Sequence, residues 1–243
     1  MSEAGTIVID GRAVPFRDGE SVMEAALGAG IYIAHLCYHP DYVPHGSCKL
    51  CTVSINGKHA AACTTRAAAG MTIENETPAL NDMRCALIQM LFVEGNHICP
   101  ACEKTGACDL QAVGYHVGMT NPHFEHFFPS RDLDASHPDV LLDRNRCILC
   151  SLCVRASRDV DAKRVFAING RGIRARLTVN SPSGRLADSA LAAHDAAVAV
   201  CPVGSILRKR AAYHTPIGER RYDRETIAEV AVREYAERRQ RHG

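Results

Sequence analysis

Hydrophobic and polar residues alternate at the start of the chain and then change to a helical period. The segments TIVID and RAVPF have the alternation of short strands, and Asp10-Gly11 between them is a typical hairpin turn. Ser21 followed by Glu24 is a capping-box pattern at the start of the apolar segment VMEAALGAG. We therefore predict two strands and a helix, followed by a loop that contains cysteines.

The C-terminal segment ERRYDRETIAEVAVREYAERRQRHG has apolar residues at helical spacing among dense charge. Its apolar positions are Ile227, Val230, Ala231 and Tyr235. This pattern predicts an amphipathic helical tail over residues 209–243. Such a tail either docks a partner subunit or covers this chain itself.

Composition excludes several function classes. The 243 residues carry a formal net charge of +1, without the basic surplus that binding to nucleic acid or anionic membranes requires. The longest apolar stretch, residues 86–93, is interrupted by Gln89 and is shorter than the about 20 residues of a spanning helix, so no membrane insertion is expected. The N-terminus lacks the regions of a signal peptide. We expect a cytoplasmic protein whose twelve cysteines are metal ligands rather than disulfides.

The first cysteine group has the spacing C-x10-C-x2-C-x11-C in the loop HLCYHPDYVPHGSCKLC. Glycine and proline in such a loop let backbone amides approach sulfur closely. A structural zinc site is the alternative, but zinc sites usually pair two C-x2-C knuckles and this group has one. With the preceding strands and helix, the pattern predicts a β-grasp [2Fe-2S] ferredoxin domain over residues 1–78. Its cluster ligands are expected to be Cys37, Cys48, Cys51 and Cys63.

The second group, in FVEGNHICPACEKTGACDLQ, supplies three thiolates and leaves a [4Fe-4S] cluster one ligand short. We favour His97 as the fourth ligand, because neutral imidazole binds iron well. Cys85 is the competitor, although it lies in an apolar helical pattern where free cysteine behaves as a core residue. The group predicts a small helical domain over residues 79–125. The expected ligands are His97, Cys99, Cys102 and Cys108.

The third group begins as C-x2-C-x2-C in RCILCSLCVRAS and is completed downstream in AVCPVGSI. In two-cluster bacterial ferredoxins the fourth cysteine of each run binds the other cluster. The ligand positions of one such cluster have lost their cysteines and are now Ser157, Leu191, His194 and Ala197, with His194 expected to be a surface residue. We predict a bacterial-ferredoxin-like domain over residues 126–208 that keeps one [4Fe-4S] cluster. Its ligands are expected to be Cys147, Cys150, Cys153 and Cys201.

With these three groups the sequence resembles, over nearly its whole length, the diaphorase small subunit of cytoplasmic bidirectional NAD-reducing nickel-iron hydrogenases. It is more distantly similar to the N-terminal region of the large iron-sulfur subunit of respiratory complex I. The segment LFVEGNHICPACEKTGACDLQ resembles the hydrogenase subunits more than the complex I subunits. The chain also stops soon after Cys201, where the complex I subunit continues into a large further domain. The wider family has the pattern H-x3-C-x2-C-x5-C. Here Gly95 stands at the histidine position and the histidine is at residue 97.

The resemblance implies an α+β electron-transfer subunit with partners that carry the catalytic chemistry. These partners would be a diaphorase large subunit with FMN and the NAD site, and hydrogenase small and large subunits with the nickel-iron centre. The chain has no G-x-G-x-x-G strand-helix unit and no P-loop, so we expect no turnover from it alone. By resemblance, electrons from hydrogen would enter at the His97 site, pass to the Cys147 site and the [2Fe-2S] site, and leave toward FMN.

Two other functions remain open from the sequence. One is an equivalent relay in an NAD-dependent formate dehydrogenase, an iron-only hydrogenase assembly or a complex I-like NADH dehydrogenase. The other is a zinc-organised scaffold without redox function. Arg144, Arg146 and Arg155, beside the third group, either offset the negative charge of clusters or form a solvated surface.

Overall fold

The computed structural model describes residues 3–242, which form two compact units. The first unit comprises Met1–Ile88, Ala112–Thr120 and Arg221–Gly243, and the second comprises Gln89–Gln111 and Asn121–Arg220. Both units combine short strands with helices, which agrees with the predicted mixed α+β class. Among the described residues, no helix is both long enough and apolar enough to cross a membrane.

The first unit contains a five-stranded sheet. Its first two strands form the predicted hairpin, and Asp10 and Gly11 at the turn both have positive φ, as a type I′ turn requires. The strands are β1 (Glu3–Ile9), β2 (Arg12–Arg17), β3 (Thr52–Ile55), β4 (Lys58–Ala61) and β5 (Thr72–Glu74). Their order in the sheet is β2-β1-β5-β3-β4, with β1 and β5 parallel and the other neighbours antiparallel.

Helix α1 (Val22–Gly28) begins at the predicted capping box. The Ser21 hydroxyl accepts from the Glu24 amide at 3.2 Å, and the Glu24 carboxylate accepts from the Ser21 amide at 2.7 Å. These bonds satisfy two amides that have no partner inside a helix. The helix contributes five buried residues to the core of the unit: Val22, Met23, Ala25, Ala26 and Leu27.

Helix α6 (Ile227–His242) packs on α1 of the same chain, so the predicted helical tail over residues 209–243 is helical only from residue 227, and residues 209–226 form turns. Val230 is fully buried, and Tyr235 is 9% exposed. Arg239 lies 3.3 Å from the Glu20 carboxylate, just before α1. Of the two roles that the sequence leaves open for the tail, the structure therefore shows the one in which it covers its own chain.

Helix α2 (Pro78–Val93) coincides with the helical pattern around Cys85, and α3 (Asp109–His116) follows the second cysteine group. The further elements of the second unit are β6 (Leu133–Asp134), β7 (Val140–Asp143), α4 (Leu152–Asp159), β8 (Phe166–Asn169), β9 (Arg176–Val179), α5 (Ala196–Ala199) and β10 (Ile206–Arg208). Its strands form two small sheets, with strand order β10-β7-β6 in one and the β8-β9 hairpin in the other.

Replacing the cap residue tests the start of α1. We expect Ser21→Ala to lower the free energy of unfolding by about 1 kcal/mol, because the Glu24 amide loses its acceptor. The measurement is the urea midpoint of the far-UV circular dichroism signal under anaerobic conditions. Ser21→Thr keeps the hydroxyl and should retain most of the stability, so equal midpoints for the alanine variant and the unmodified chain would contradict the capping role.

Candidate functional site

All twelve cysteines are free thiols, and eleven of them lie at three separate sites. Within residues 3–242, no three His, Cys, Asp or Glu side chains are grouped as ligands of one metal ion. An iron-sulfur cluster has a different requirement, since its ligands bind different irons and lie around a volume instead of a point.

At the first site the four sulfurs form two pairs. Cys51 Sγ and Cys63 Sγ are 3.3 Å apart, and the Cys48 thiol is hydrogen-bonded to the Cys37 sulfur. Two sulfurs on one tetrahedral metal, with bonds of about 2.3 Å, lie about 3.8 Å apart, so the spacing within the Cys51–Cys63 pair is close to that of ligands sharing one metal. Cys37, Cys51 and Cys63 are each 1% exposed, and Cys48 is half-buried.

Within each pair one thiol donates and the other accepts. The hydrogen bond from Cys48 lowers the pKa of Cys37 to about 4, and the bond from Cys51 lowers the pKa of Cys63. The same bonds, together with burial, raise the pKa of Cys48 and Cys51. Because metals bind thiolates, loading this site must release the protons of the two donors.

The loop around this site brings backbone amides to sulfur, as its glycine content predicts. Gly46 has φ +66°, and its amide donates a hydrogen bond that lowers the pKa of Cys63. The Cys48 amide lies 3.5 Å from Cys37 Sγ. A Cβ at position 46 would lie 3.2 Å from Thr64 Cγ2 and would have to adopt the left-handed backbone that glycine tolerates.

The second site is a cavity in the second unit, and its wall includes all four of the predicted ligands. Cys99 begins a short 3₁₀ turn (Cys99–Ala101), and Cys108 immediately precedes α3. Phe92 and Leu110 supply apolar wall, with Leu110 fully buried. The ligand candidates in this wall are His97, Cys99, Cys102 and Cys108.

His97 has the properties of a metal ligand. Its Nε2 is buried and has no hydrogen-bond partner within the described part of the chain. Its hydrogen bond to the Leu91 backbone must therefore use the other ring nitrogen, which fixes the tautomer and leaves the Nε2 lone pair available. Burial, followed by the charges of Arg146 and Arg131, lowers the pKa of His97 to about 4, so the ring is neutral near pH 7.

Gly95 explains why the histidine of this site does not follow the wider family's spacing. A Cβ at position 95 would lie 2.5 Å from His97 Nε2 and 2.8 Å from the Asn145 carbonyl oxygen. No side chain fits there without displacing the imidazole ring or the backbone. A histidine at position 95 and this placement of His97 are therefore mutually exclusive.

Cys85 has a different environment from the thiols of the second site. The wall of that cavity consists of residues from the second unit, whereas Cys85 belongs to the first unit. Its thiol donates to the Val117 carbonyl oxygen at 3.7 Å, a weak bond typical of a cysteine that packs against a helix end.

The third site is a second cavity in the same unit, with all four predicted cysteines in its wall. Leu149 and Ser151 have φ of 54° and 60°, and this left-handed backbone bends the loop around the cavity. Burial raises the pKa of Cys147 and Cys153. The cysteines in the wall are Cys147, Cys150, Cys153 and Cys201.

The four positions that lack the cysteines of a second ferredoxin cluster do not form a site. Ser157 is fully buried and accepts a hydrogen bond from the Val165 amide at 2.8 Å, and Leu191 and Ala197 are core residues. His194 is exposed, as predicted for a surface residue.

Arg146 connects the second and third sites. Its Nη1 lies 3.5 Å from Cys102 Sγ, and the residue directly precedes Cys147. Two carboxylates bind the same guanidinium, Glu103 at 2.6 Å and Asp143 at 3.0 Å. The Arg146 side chain is therefore not part of a solvated surface. Its positive charge lies next to a sulfur of the second site.

The backbone also joins these two sites. The Asp109 amide, next to Cys108, donates to the Pro202 carbonyl oxygen, next to Cys201, at 2.8 Å. A Cβ at Gly204 would lie 2.8 Å from Cys102 Sγ, so only glycine leaves room for that sulfur. The two cavities are thus neighbours within one compact unit.

A mixed α+β fold with three thiol-lined sites, two of them adjacent, defines an iron-sulfur protein. Three family models match the chain and agree with this class. A 2Fe-2S iron-sulfur cluster binding domain matches residues 2–78, an NADH-ubiquinone oxidoreductase-G iron-sulfur binding region matches residues 84–123, and a 4Fe-4S single cluster domain matches residues 140–207.

Comparison with known proteins identifies the family. The chain is 41% identical over 227 residues to the gamma subunit of the NAD-reducing hydrogenase HoxS of Cupriavidus necator, covering 93% of this chain and 96% of that protein. It therefore belongs to the family of gamma subunits of NAD-reducing hydrogenases, as its resemblance predicts.

A solved structure and a more distant relative agree with this placement. A chain in the crystal structure of an NAD+-reducing [NiFe]-hydrogenase in the H2-reduced state is 50% identical, with a TM-score of 0.92 over 96% of this chain and 99% of that one. The mitochondrial NADH-ubiquinone oxidoreductase 78 kDa subunit of Candida albicans is 30% identical over 218 residues, and the match covers 29% of its length. The chain thus corresponds to under a third of that relative.

Substitution of His97 tests the fourth ligand of the second site. We expect His97→Ala to lose or destabilise one [4Fe-4S] signal in electron paramagnetic resonance (EPR). His97→Cys should keep the signal at a lower reduction potential, because a thiolate adds negative charge to the site. His123→Ala, at an exposed position in the same unit, is the matched control and should leave the signal unchanged. If both His97 variants retain the unmodified spectrum while Cys85→Ala removes it, the ligand is Cys85.

Proposed function

We propose that this chain is the electron-transfer subunit of an NAD-reducing hydrogenase and that it holds one [2Fe-2S] and two [4Fe-4S] clusters. The observation that carries the proposal is that eleven cysteines and one histidine lie at three sites whose residues match iron-sulfur requirements. The near-complete coverage of the hydrogenase gamma subunit supports this complex over a complex I-like relay.

At the first site the proposal assigns two thiols to each iron. The paired arrangement supports Cys37 with Cys48 on one iron and Cys51 with Cys63 on the other, because sulfurs of one tetrahedral iron are close neighbours. The strand order of the first unit and the family match over residues 2–78 support the β-grasp ferredoxin assignment.

At the second and third sites the proposal assigns four ligands to each [4Fe-4S] cluster. The Nε2 of His97, which has no hydrogen-bond partner among the described residues, and the room that Gly95 leaves for its ring support His97 over Cys85. The family match to a single-cluster domain, and the buried Ser157, Leu191 and Ala197, support one cluster in the C-terminal ferredoxin-like region.

Bound clusters accept and release one electron at a time, which connects hydrogen oxidation to flavin chemistry. The residues of this chain supply what such transfer requires. Apolar walls exclude water from the sulfurs. The backbone amides of Gly46 and Cys48 donate hydrogen bonds to sulfurs of the first site, and the guanidinium of Arg146 lies next to the Cys102 sulfur. Each of these contacts stabilises the extra negative charge of a reduced site.

The proposed route uses the adjacency of the second and third sites. Electrons from hydrogen enter at the His97 site, pass to the Cys147 site and then to the [2Fe-2S] site, and leave for FMN and NAD on a diaphorase large subunit. The short connections through Arg146 and between Asp109 and Pro202 support the first transfer. Hydrogenase small and large subunits, with the nickel-iron centre, complete the proposed assembly.

Iron and sulfide analysis with low-temperature EPR tests the proposal. The anaerobically purified chain should contain about ten irons, with one slowly relaxing [2Fe-2S] signal and two fast-relaxing [4Fe-4S] signals after dithionite reduction. Zinc without acid-labile sulfide would instead indicate a zinc scaffold and would reject the relay.

A pair of cysteine variants tests the ligand assignment at the third site. Cys201→Ser should remove or strongly perturb one [4Fe-4S] signal and lower the iron content by up to about four atoms per chain, because a hydroxyl is a poor substitute for a thiolate ligand. Cys85→Ser is the matched control and should retain all three signals. Equal iron contents and spectra for the two variants would contradict the assignment.

A further inference from the structure

Arg84 on α2 is a charged side chain buried at 2% exposure in the first unit. Its guanidinium donates four hydrogen bonds. Nε binds the Leu50 carbonyl oxygen at 3.2 Å, and Nη2 binds the Thr52 carbonyl oxygen at 3.1 Å. The other two bonds reach the Asn75 carbonyl oxygen at 2.9 Å and the Asn75 side-chain oxygen at 2.7 Å.

These contacts tie the cysteine loop to the end of β5. Leu50 and Thr52 are the immediate neighbours of Cys51, so the fork of the guanidinium holds the backbone on both sides of this thiol. Asn75 directly follows β5. The planar fork of arginine suits such fixed multiple bonds, which lysine cannot reproduce.

The charge of Arg84 has no carboxylate among its hydrogen-bond acceptors. All four acceptors are neutral oxygens. The nearby carboxylates of Asp10 and Glu76 bind Asn75, at 2.8 Å and 2.9 Å. A buried charge costs free energy unless an opposite charge compensates it, and the groups that favour the charged guanidinium by Coulomb attraction are Glu76 first and then the Cys51 sulfur of the first site.

We propose that Arg84 is a positioning residue of the [2Fe-2S] site, one that fixes the backbone around Cys51 and raises the reduction potential of the cluster. The inference rests on the proposed function, since it assumes that a cluster binds there. Reduction adds one electron to the site and no proton to the guanidinium, which stays charged in both states. The fixed positive charge therefore favours the reduced form by Coulomb attraction.

Redox titration of the [2Fe-2S] EPR signal in the full chain tests the proposal. Arg84→Gln removes the charge and should lower the midpoint potential by about 59 mV or more, which is a tenfold change in the one-electron equilibrium. Arg84→Lys keeps the charge, so its one-electron equilibrium constant should remain within about threefold of that of the unmodified chain. Its cluster should nevertheless be lost at a lower urea concentration, because lysine cannot make the same hydrogen bonds. Arg12→Gln, at an exposed position of the same unit, removes an equal charge and should leave the potential unchanged.

A further variant keeps the test decisive if Arg84→Gln does not load its cluster. Asn75→Asp places a carboxylate against the guanidinium and removes the side-chain amide that donates to Glu76 at 2.9 Å, and the added negative charge should lower the potential in the same direction. An unshifted potential in a loaded Arg84→Gln or Asn75→Asp variant, or a lysine variant shifted as far as the glutamine variant, would overturn the electrostatic role. Absence of any [2Fe-2S] signal from the unmodified chain would instead reject the proposed function itself.

Discussion

Desolvation of sulfur is the constraint on which the rest of this structure depends. A buried thiol keeps its proton, and the raised pKa values of Cys108, Cys147 and Cys153 show how strongly burial opposes the thiolate. Metal binding requires the thiolate. The protein favours the thiolate at buried sulfurs by placing hydrogen-bond donors and positive charge next to them. The Gly46 amide at Cys63 and Arg146 at Cys102 are two examples.

The same constraint accounts for the close approaches of backbone to each site. Gly46, Gly95 and Gly204 stand where a Cβ would meet Thr64, the His97 ring or the Cys102 sulfur. A side chain at any of these three positions would therefore disturb the site beside it.

Local features were predictable from the sequence because each depends on a few neighbouring residues. The Asp10-Gly11 hairpin, the Ser21–Glu24 capping box and the helical pattern around Cys85 are all found in the structure. The cysteine spacing likewise indicated which thiols group together. His97 was a candidate because it lies two residues before Cys99, whereas only the structure shows that its Nε2 has no hydrogen-bond partner among residues 3–242.

Other features depend on contacts between distant residues and left no local signal. The parallel pairing of β1 with β5, the contact of Arg146 with Cys102 and the bonds of Arg84 to Leu50 and Thr52 join segments far apart in sequence. In the sequence, Arg84 occupies a polar position of an amphipathic helical pattern. Its burial results from the path of a loop more than 30 residues away.

Packing of α6 on α1 sets an order of events during synthesis. Val230 and Tyr235 complete the burial of the first unit, yet they are synthesised about 200 residues after α1. The chain grows at about 5 to 20 residues per second, so α1 waits many seconds for its packing partner. All of the second unit is translated in that interval. The unit whose synthesis begins first is thus the last to be completed, because its core closes only when α6 has been made.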